Sequence, residues 1–372
     1  GTADGSGNVN LYYGNKQEGL ITTGGNLTVT GEGDVYVDSD LAIGGNLTLE
    51  AGAGKEALLD ITNIGQVQNN HDNEKAKETL HNFLDHFATN QISFGETQDA
   101  KITVDMWNGN TLDLSKFDYN GTTLVSQLND LNVDSAGNKT AKQLTHIWVN
   151  NGEQLKNIQT ADDKALDYNF ALKGDINASD VENYVAIGTG SEFTGTFDGR
   201  GNRIIGLKVE NANGNAGIFD TIGTNGVVKD VNIYSGNFTG TAKAGAVAGV
   251  NEGRIENVTG FGNTVEVSGA GSAGGIVGKN EGKGNFVTAD GASTLTGNGI
   301  YDVQSIGSVI TASGVAGGLV GTNDGALGNS YSDSAVTSTD GTSKGLGGVA
   351  GVNTGDVQYV QPWRNQWRYN RQ

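Results

Sequence analysis

The stretch GAVAGVNEG, Gly245 to Gly253, returns three times: as GGIVGKNEG (Gly274 to Gly282), GGLVGTNDG (Gly317 to Gly325) and GGVAGVNTG (Gly347 to Gly355). The central glycines Gly249, Gly278, Gly321 and Gly351 lie 29, 43 and 30 residues apart. A recurring unit of that size marks a solenoid, in which each unit buries its apolar residues against its neighbours. The pairs Val247-Ala248, Ile276-Val277, Leu319-Val320 and Val349-Ala350 predict one short strand per copy, followed by a sharp turn. Asn and Gly adopt positive φ cheaply, so Asn251-Glu252-Gly253, Asn280-Glu281-Gly282, Asn323-Asp324-Gly325 and Asn353-Thr354-Gly355 are read as the corners.

Between the copies, Val227 to Ile233 and Val265 to Val267 alternate apolar and polar residues, the period of a strand with one buried face. A second repeat stands near the N-terminus. GGNLTV (Gly24 to Val29) and GGNLTL (Gly44 to Leu49) are 20 residues apart, with Val35-Tyr36-Val37 and Leu41-Ala42-Ile43 between them. Three short strands in 20 residues make one coil of a β-helix. The expected fold is therefore all-β, a right-handed parallel β-helix with a non-repetitive, partly helical insertion, forming a rod of about 60 to 80 Å at one coil per strand spacing. Its segments are coils over 1–61, the insertion over 62–145, a second run of coils over 146–360, and an aromatic and basic tail over 361–372.

Composition agrees with a narrow core. The chain has 372 residues, 60 glycines, one proline and only 35% hydrophobic residues, too few apolar groups for a compact globule of this length. Its net charge of -19 argues against a nucleic-acid partner. No apolar run is long enough to span a membrane. With no cysteine, disulfides and thiolate metal sites are excluded. The chain opens at Gly1 without an initiator Met or an apolar leader, which reads as an excised or processed portion.

In the insertion, Asp72 or Asn73 is placed to cap a helix over Glu74 to Phe87, where Leu80, Phe83, Leu84 and Phe87 share one face. His81 and His86 are five apart, off the spacing of a metal pair, and read as surface or boundary residues. Strands resume at Ile102 to Val104 and Thr111 to Leu114, and Leu124 to Leu131 reads as a short helix or irregular. Beyond it, Ile147-Trp148-Val149 forms a strand, and Asn151-Gly152 turns the chain into a single helical turn.

From about 145 to 360 the succession YNFALKGDINAS, FTGTFDGRGNRIIGLKV, AGIFDTIGTNGVVKDVNI and AGAVAGVNEGRIENV resembles the GLUG-motif region of large bacterial surface proteins. Many of those are filamentous haemagglutinin-like adhesins exported by two-partner secretion. The GGNLTV and GGNLTL units resemble the haemagglutinin-type repeats of the same proteins. The resemblance implies a secreted or cell-surface location and a role in attachment. Its implied partners are a host or matrix glycan or protein, a neighbouring bacterial surface, and an outer-membrane transporter for export.

No catalytic constellation stands out. Asp198, Arg200 and Arg203, with Asp220 and Asp230, would suit a polysaccharide lyase or hydrolase, but Asp198-Gly199 reads better as a turn with the arginines as solvated flanks. GTSKG at Gly341 to Gly345 lacks the strand and helix of a nucleophile elbow. Glu252, Glu281 and Asp324 would stack into an oxygen row for calcium, yet each turn supplies only one carboxylate. No cofactor is expected otherwise. Sequons at Asn26, Asn46, Asn120, Asn138, Asn177, Asn237 and Asn257 permit glycosylation. Trp148, Asp198, Arg200, Arg203, Trp363 and Trp367 make up the candidate binding surface, with Trp363 and Trp367 also suited to cap the last coil. Attachment is the leading function, a carbohydrate-active β-helix enzyme the second, and a non-binding spacer the third.

Overall fold

The computed structural model describes residues 2–3, 7–12, 19–131, 133–134, 140–160, 163–289, 292–339, 341 and 345–362. It is an all-β fold of parallel ladders that run in sequence order, with a short helical insertion. Contacts divide it into two compact units, Gly1–Trp148 and Val149–Gln372.

In the first unit, one ladder runs Val9–Tyr12, Val35–Asp38, Glu56–Asp60, Asp99–Val104 and on to Thr145–Val149, parallel throughout. Leu27–Thr30, Leu47–Glu50, Ile92–Ser93 and Val133–Asp134 form another, and Leu20–Thr23 pairs with Asp40–Ile43. Leu27 meets Leu47 and Val29 meets Leu49, so identical places of the 20-residue repeat stack directly. Period-2 alternation supplies the core: Val35, Val37, Ala57 and Leu59 are fully buried, each branched side chain contributing about 1.5–3 kcal/mol.

Not all of 62–145 departs from the ladders. Ile92–Ser93 and Asp99–Val104 lie inside 62–145 yet belong to the ladders, because their apolar residues complete the same columns. What departs from the ladders includes helices and one antiparallel pair, Trp107–Asn108 with Thr111–Leu112. Helix α1, Asn73–His86, starts where Asp72 accepts a hydrogen bond from the Lys75 N–H and ends at Phe87. That bond is the main reason the Asp72 carboxyl lies below its usual range. Leu80, Phe83 and Leu84 are its buried face. Helices α2 (Leu124–Asn129) and α3 (Ala141–Leu144) follow, the first packed on α1. His81 is buried, against expectation, with Nε2 2.7 Å from the Phe117 carbonyl, while His86 is part-buried beside the Gly45 carbonyl.

In the second unit the longest column runs Val227–Tyr234, Arg254–Phe261 and Gly299–Ile306, and continues as Ala326–Gly328 with Tyr331–Ser332. A second column is Lys208–Asn211, Asn237–Gly240, Thr264–Val267, Val309–Ala312 and Ala335–Ser338. The GG-type motif builds the rest. The residues leading into it form Lys243–Ala244, Ser272–Gly274, Val315–Gly317 and Gly345–Gly347. Its end forms Ala248–Asn251, Val277–Asn280, Val320–Asn323 and Ala350–Asn353, preceded by Phe219–Ile222. An antiparallel hairpin, Gly284–Ala289 with Ala292–Gly297, accounts for the long spacing between the second and third copies.

The chain does change sheets at the Asn-x-Gly segments, from Ala248–Asn251 to Arg254–Phe261, from Val320–Asn323 to Ala326–Gly328 and from Ala350–Asn353 to Asp356–Gln358, but without left-handed backbone. None of the Asn-x-Gly turns after the motif has positive φ. The left-handed residues form two other columns: Asp230, Asn257, Asp302, Asn329 and Tyr359, and Gly206, Ser235, Gly262 and Gly307. The motif asparagines point inward and are completely buried at 251, 280 and 323. The Asn251 Nδ2 donates to Asn280 Oδ1 (2.9 Å), Asn280 to Asn323 (2.7 Å) and Asn323 to Asn353 (2.7 Å). The row opens on Asn251 Oδ1, which is buried without a hydrogen-bond partner beside the Ile222 position of the preceding strand.

Candidate functional site

The insertion carves a groove of about 550 Å³ into the first unit. One wall is the start of α1, with Asn73, Glu74 and Lys77; the other is Asn108, Asp113, Ser115 and Lys116 from the segment after Val104. The turn after Ile61 supplies Thr62, Asn63 and Gln66. Ile64, Ala76, Leu80 and Phe117 form a floor whose side chains are almost wholly covered.

The lining is polar, its lysines are paired, and its Asp113 is hydrogen-bonded to neutral donors. Lys77 pairs with Glu74 at 3.0 Å, and Lys116 donates to the Asp105 and Trp107 carbonyls while lying 3.4 Å from the Asp105 carboxylate. Asp113 accepts from the Asn108 amide (2.6 Å) and the Ser115 hydroxyl (2.6 Å). Asn63 donates to Asp38, outside the groove. Among the described residues the Gln66 and Asn73 side-chain amides have no hydrogen-bond partner, so each has a donor and an acceptor to offer whatever enters. No motif announces these residues; the density of Asn and Gln between 63 and 73 is their only trace in the sequence.

The residues singled out from sequence lie elsewhere. Trp148 is buried rather than displayed: its Nε1 donates to Asp60 Oδ2 at 2.7 Å, and its carbonyl accepts from Trp107 Nε1. Both faces of the neighbouring strand Asp99–Val104 are covered, a consequence of the insertion that local sequence cannot show. Asp198 is also buried, held by Lys229 at 3.0 Å and capping the turn through the Arg200 N–H. Arg200 donates to the Leu172 carbonyl. Arg203 is exposed, forks onto Asp175 at 2.6 and 3.0 Å, and lies over the Tyr234 ring. That fork holds the Asp175 carboxyl below its usual range and raises the guanidinium pKa. Asp198 and Arg200 thus share one turn, while Arg203 is tied to Asp175. Trp363 and Trp367 lie outside the described residues.

The acidic turn residues do stack, but with a lysine among them. Lys279 Nζ is 2.6 Å from Glu281 and 3.1 Å from Asp324, and Thr354 donates to Asp324 at 2.6 Å. The Thr354 bond, then Lys279, lowers the Asp324 pKa, and the bond to Glu281 raises that of Lys279. Burial, with Glu192 and Glu281 nearby, pushes Glu252 up. Among the described residues no three His, Asp or Glu side chains converge as a metal site requires. Nor is any described helix long and apolar enough to cross a membrane.

The structure thus defines a class, an all-β repeat scaffold whose helical insertion bears a polar groove. No known family profile matches the chain. A stretch covering 33% of it is 33% identical, over 132 residues, to halomucin of Haloquadratum walsbyi, of which it spans 1% of the length. The chain is also similar to the crystal structure of a candidate immunoglobulin A1 protease from Bacteroides ovatus, with a TM-score of 0.46 and 21% identity over 58% of this chain and 66% of that one.

Proposed function

We propose that this chain is an attachment region of a secreted or cell-surface bacterial protein of the GLUG-motif, filamentous haemagglutinin-like kind. In this reading the ladders are the coils of a right-handed parallel β-helix that acts as a rigid support, and the insertion presents the surface that makes contact. One observation carries it: a polar groove is built between α1 and the segment after Val104, where the chain leaves the repeating ladders, while Asp198 is buried against Lys229 and Arg203 is forked onto Asp175. Recognition loops on a rigid support are the usual division of labour in such molecules.

The test is to present the intact chain to an array of glycans and extracellular-matrix proteins, with a parallel assay for oligosaccharide and peptide cleavage. Saturable binding with the ligand left intact is the expected result. Cleavage would replace attachment by a carbohydrate-active or proteolytic enzyme. Silence in both assays would make the chain a spacer.

A further inference from the structure

The groove's chemistry narrows what enters it. Each lysine of the lining has an acidic or carbonyl partner, Lys77 with Glu74 and Lys116 with Asp105 and Trp107, and Asp113 is held by Asn108 and Ser115. With partners already at hand for these charged groups, a ligand bearing formal charge gains little from them at so exposed a site. The groups left over are neutral and two-sided: the amides of Gln66 and Asn73, each with a donor and an acceptor. Their complement is a ligand that carries donors and acceptors together without net charge, which is the pattern of sugar hydroxyls.

A peptide backbone has the same pattern but needs more. Peptides are held by a free strand edge or by apolar pockets for alternate side chains. Here one wall is the start of α1, a helix and not a strand edge, and the floor residues Ile64, Ala76 and Leu80 are at most 2% exposed, with Phe117 at 9%. The volume, about 550 Å³, falls within the range of about 300–1,000 Å³ common to small-ligand sites. We propose that the groove between α1 and the segment Asn108–Phe117 binds a neutral, hydroxyl-rich oligosaccharide, oriented by the Gln66 and Asn73 amides. This rests on the attachment reading and names its ligand class.

The experiment is calorimetric titration of the full chain with neutral hexose and N-acetylhexosamine oligomers, with sulfated and uronic-acid oligosaccharides, and with matrix-protein peptides, each at low and high salt. A neutral oligosaccharide is expected to bind, with affinity little changed by salt because no ion pair is made. The double variant Gln66→Ala/Asn73→Ala is expected to weaken it about tenfold or more. Asp72 still caps α1 in that variant, and native-like hydrogen exchange over 73–86 would confirm the fold. Gln66→Glu, which keeps the side chain's shape and adds a charge, is expected to weaken binding similarly. Salt-sensitive binding of anionic sugars only, binding of peptides only, or neutral-sugar binding untouched by these variants would overturn the proposal and leave attachment standing. Absence of binding to every probe would remove both.

Discussion

The two units use the same residue in opposite ways. In the first, Asn26 of GGNLTV and Asn46 of GGNLTL stand on the surface side of their corners, and each side-chain oxygen accepts a backbone N–H from the next layer: Asn46 N–H to Asn26 (2.9 Å), then Gln91 N–H to Asn46 (3.0 Å). In the second, the motif asparagines turn inward and bond to one another. An exposed asparagine at a corner has water as its alternative partner, so its loss is cheap. A buried amide has only its neighbours, so every member of the row depends on the next.

Asn280→Ala probes that difference most strongly. Asn280 accepts from Asn251 and donates to Asn323 and to the Ala326 carbonyl at 3.0 Å, so truncation orphans groups on both sides at full burial. The expected loss is about 3 kcal/mol, against about 1 kcal/mol or less for Asn26→Ala. Hydrogen exchange read separately over 20–60 and 245–355 checks both, because long repeat arrays do not unfold as one two-state unit. Equal losses at the two sites would break the contrast.

Gly274→Ala tests whether the motif glycines serve close approach. A Cβ there would meet backbone on all sides, 2.1 Å from the Val277 carbonyl oxygen and 2.6 Å from the Gly321 nitrogen, although Gly274 does not need positive φ. A cost of about 2 kcal/mol is expected from overpacking that only a backbone shift can relieve. Gly24→Ala, with no described atom within 4 Å of the new Cβ, is expected to stay within about 0.5 kcal/mol. The same exchange measurement separates them, and a neutral Gly274→Ala would show that the layers can part.

These contrasts mark how far the sequence carried. Parallel layering was legible because a strict repeat forces equivalent residues to stack, as Leu27 on Leu47 and Val277 on Val320 show. The helix from Asn73 was legible from its cap and periodicity. The Asn-x-Gly corners were legible too, but not the inward burial of their asparagines, because turn chemistry alone already accounts for Asn at those places. A finer signal was present: the preceding residue varies as Val250, Lys279, Thr322 and Val352, and alternation puts Asn on the opposite face. Nothing local could place the groove. Its walls come from segments up to 55 positions apart, Thr62 to Phe117, and the burial of Trp148 depends on the same distant insertion.

The smallest effect falls on the outward neighbours of the buried row, where charge stacks on charge. Burial and the nearby Glu192 and Glu281 raise the folded pKa of Glu252 above the ordinary 4.5. Between those two values the folded state holds the extra proton, so stability falls as pH rises through the window; the cost is full above the folded pKa and absent below the ordinary value. Glu252→Gln removes it. The variant is expected to gain only about 0.3 kcal/mol at pH 7, since a partly exposed site is screened, and the gain should vanish at acid pH. Asp324 runs the other way: its lowered pKa adds stability above the ordinary 3.8 that is lost as pH falls, so Thr354→Val, which removes the main cause, should weaken the unit at pH 7. Opposite signs for the two variants at pH 7, converging in acid, would fix the outer row as a balance of charges laid over the neutral amide row. Parallel responses would mean that Lys279 binds the carboxylates into one unit.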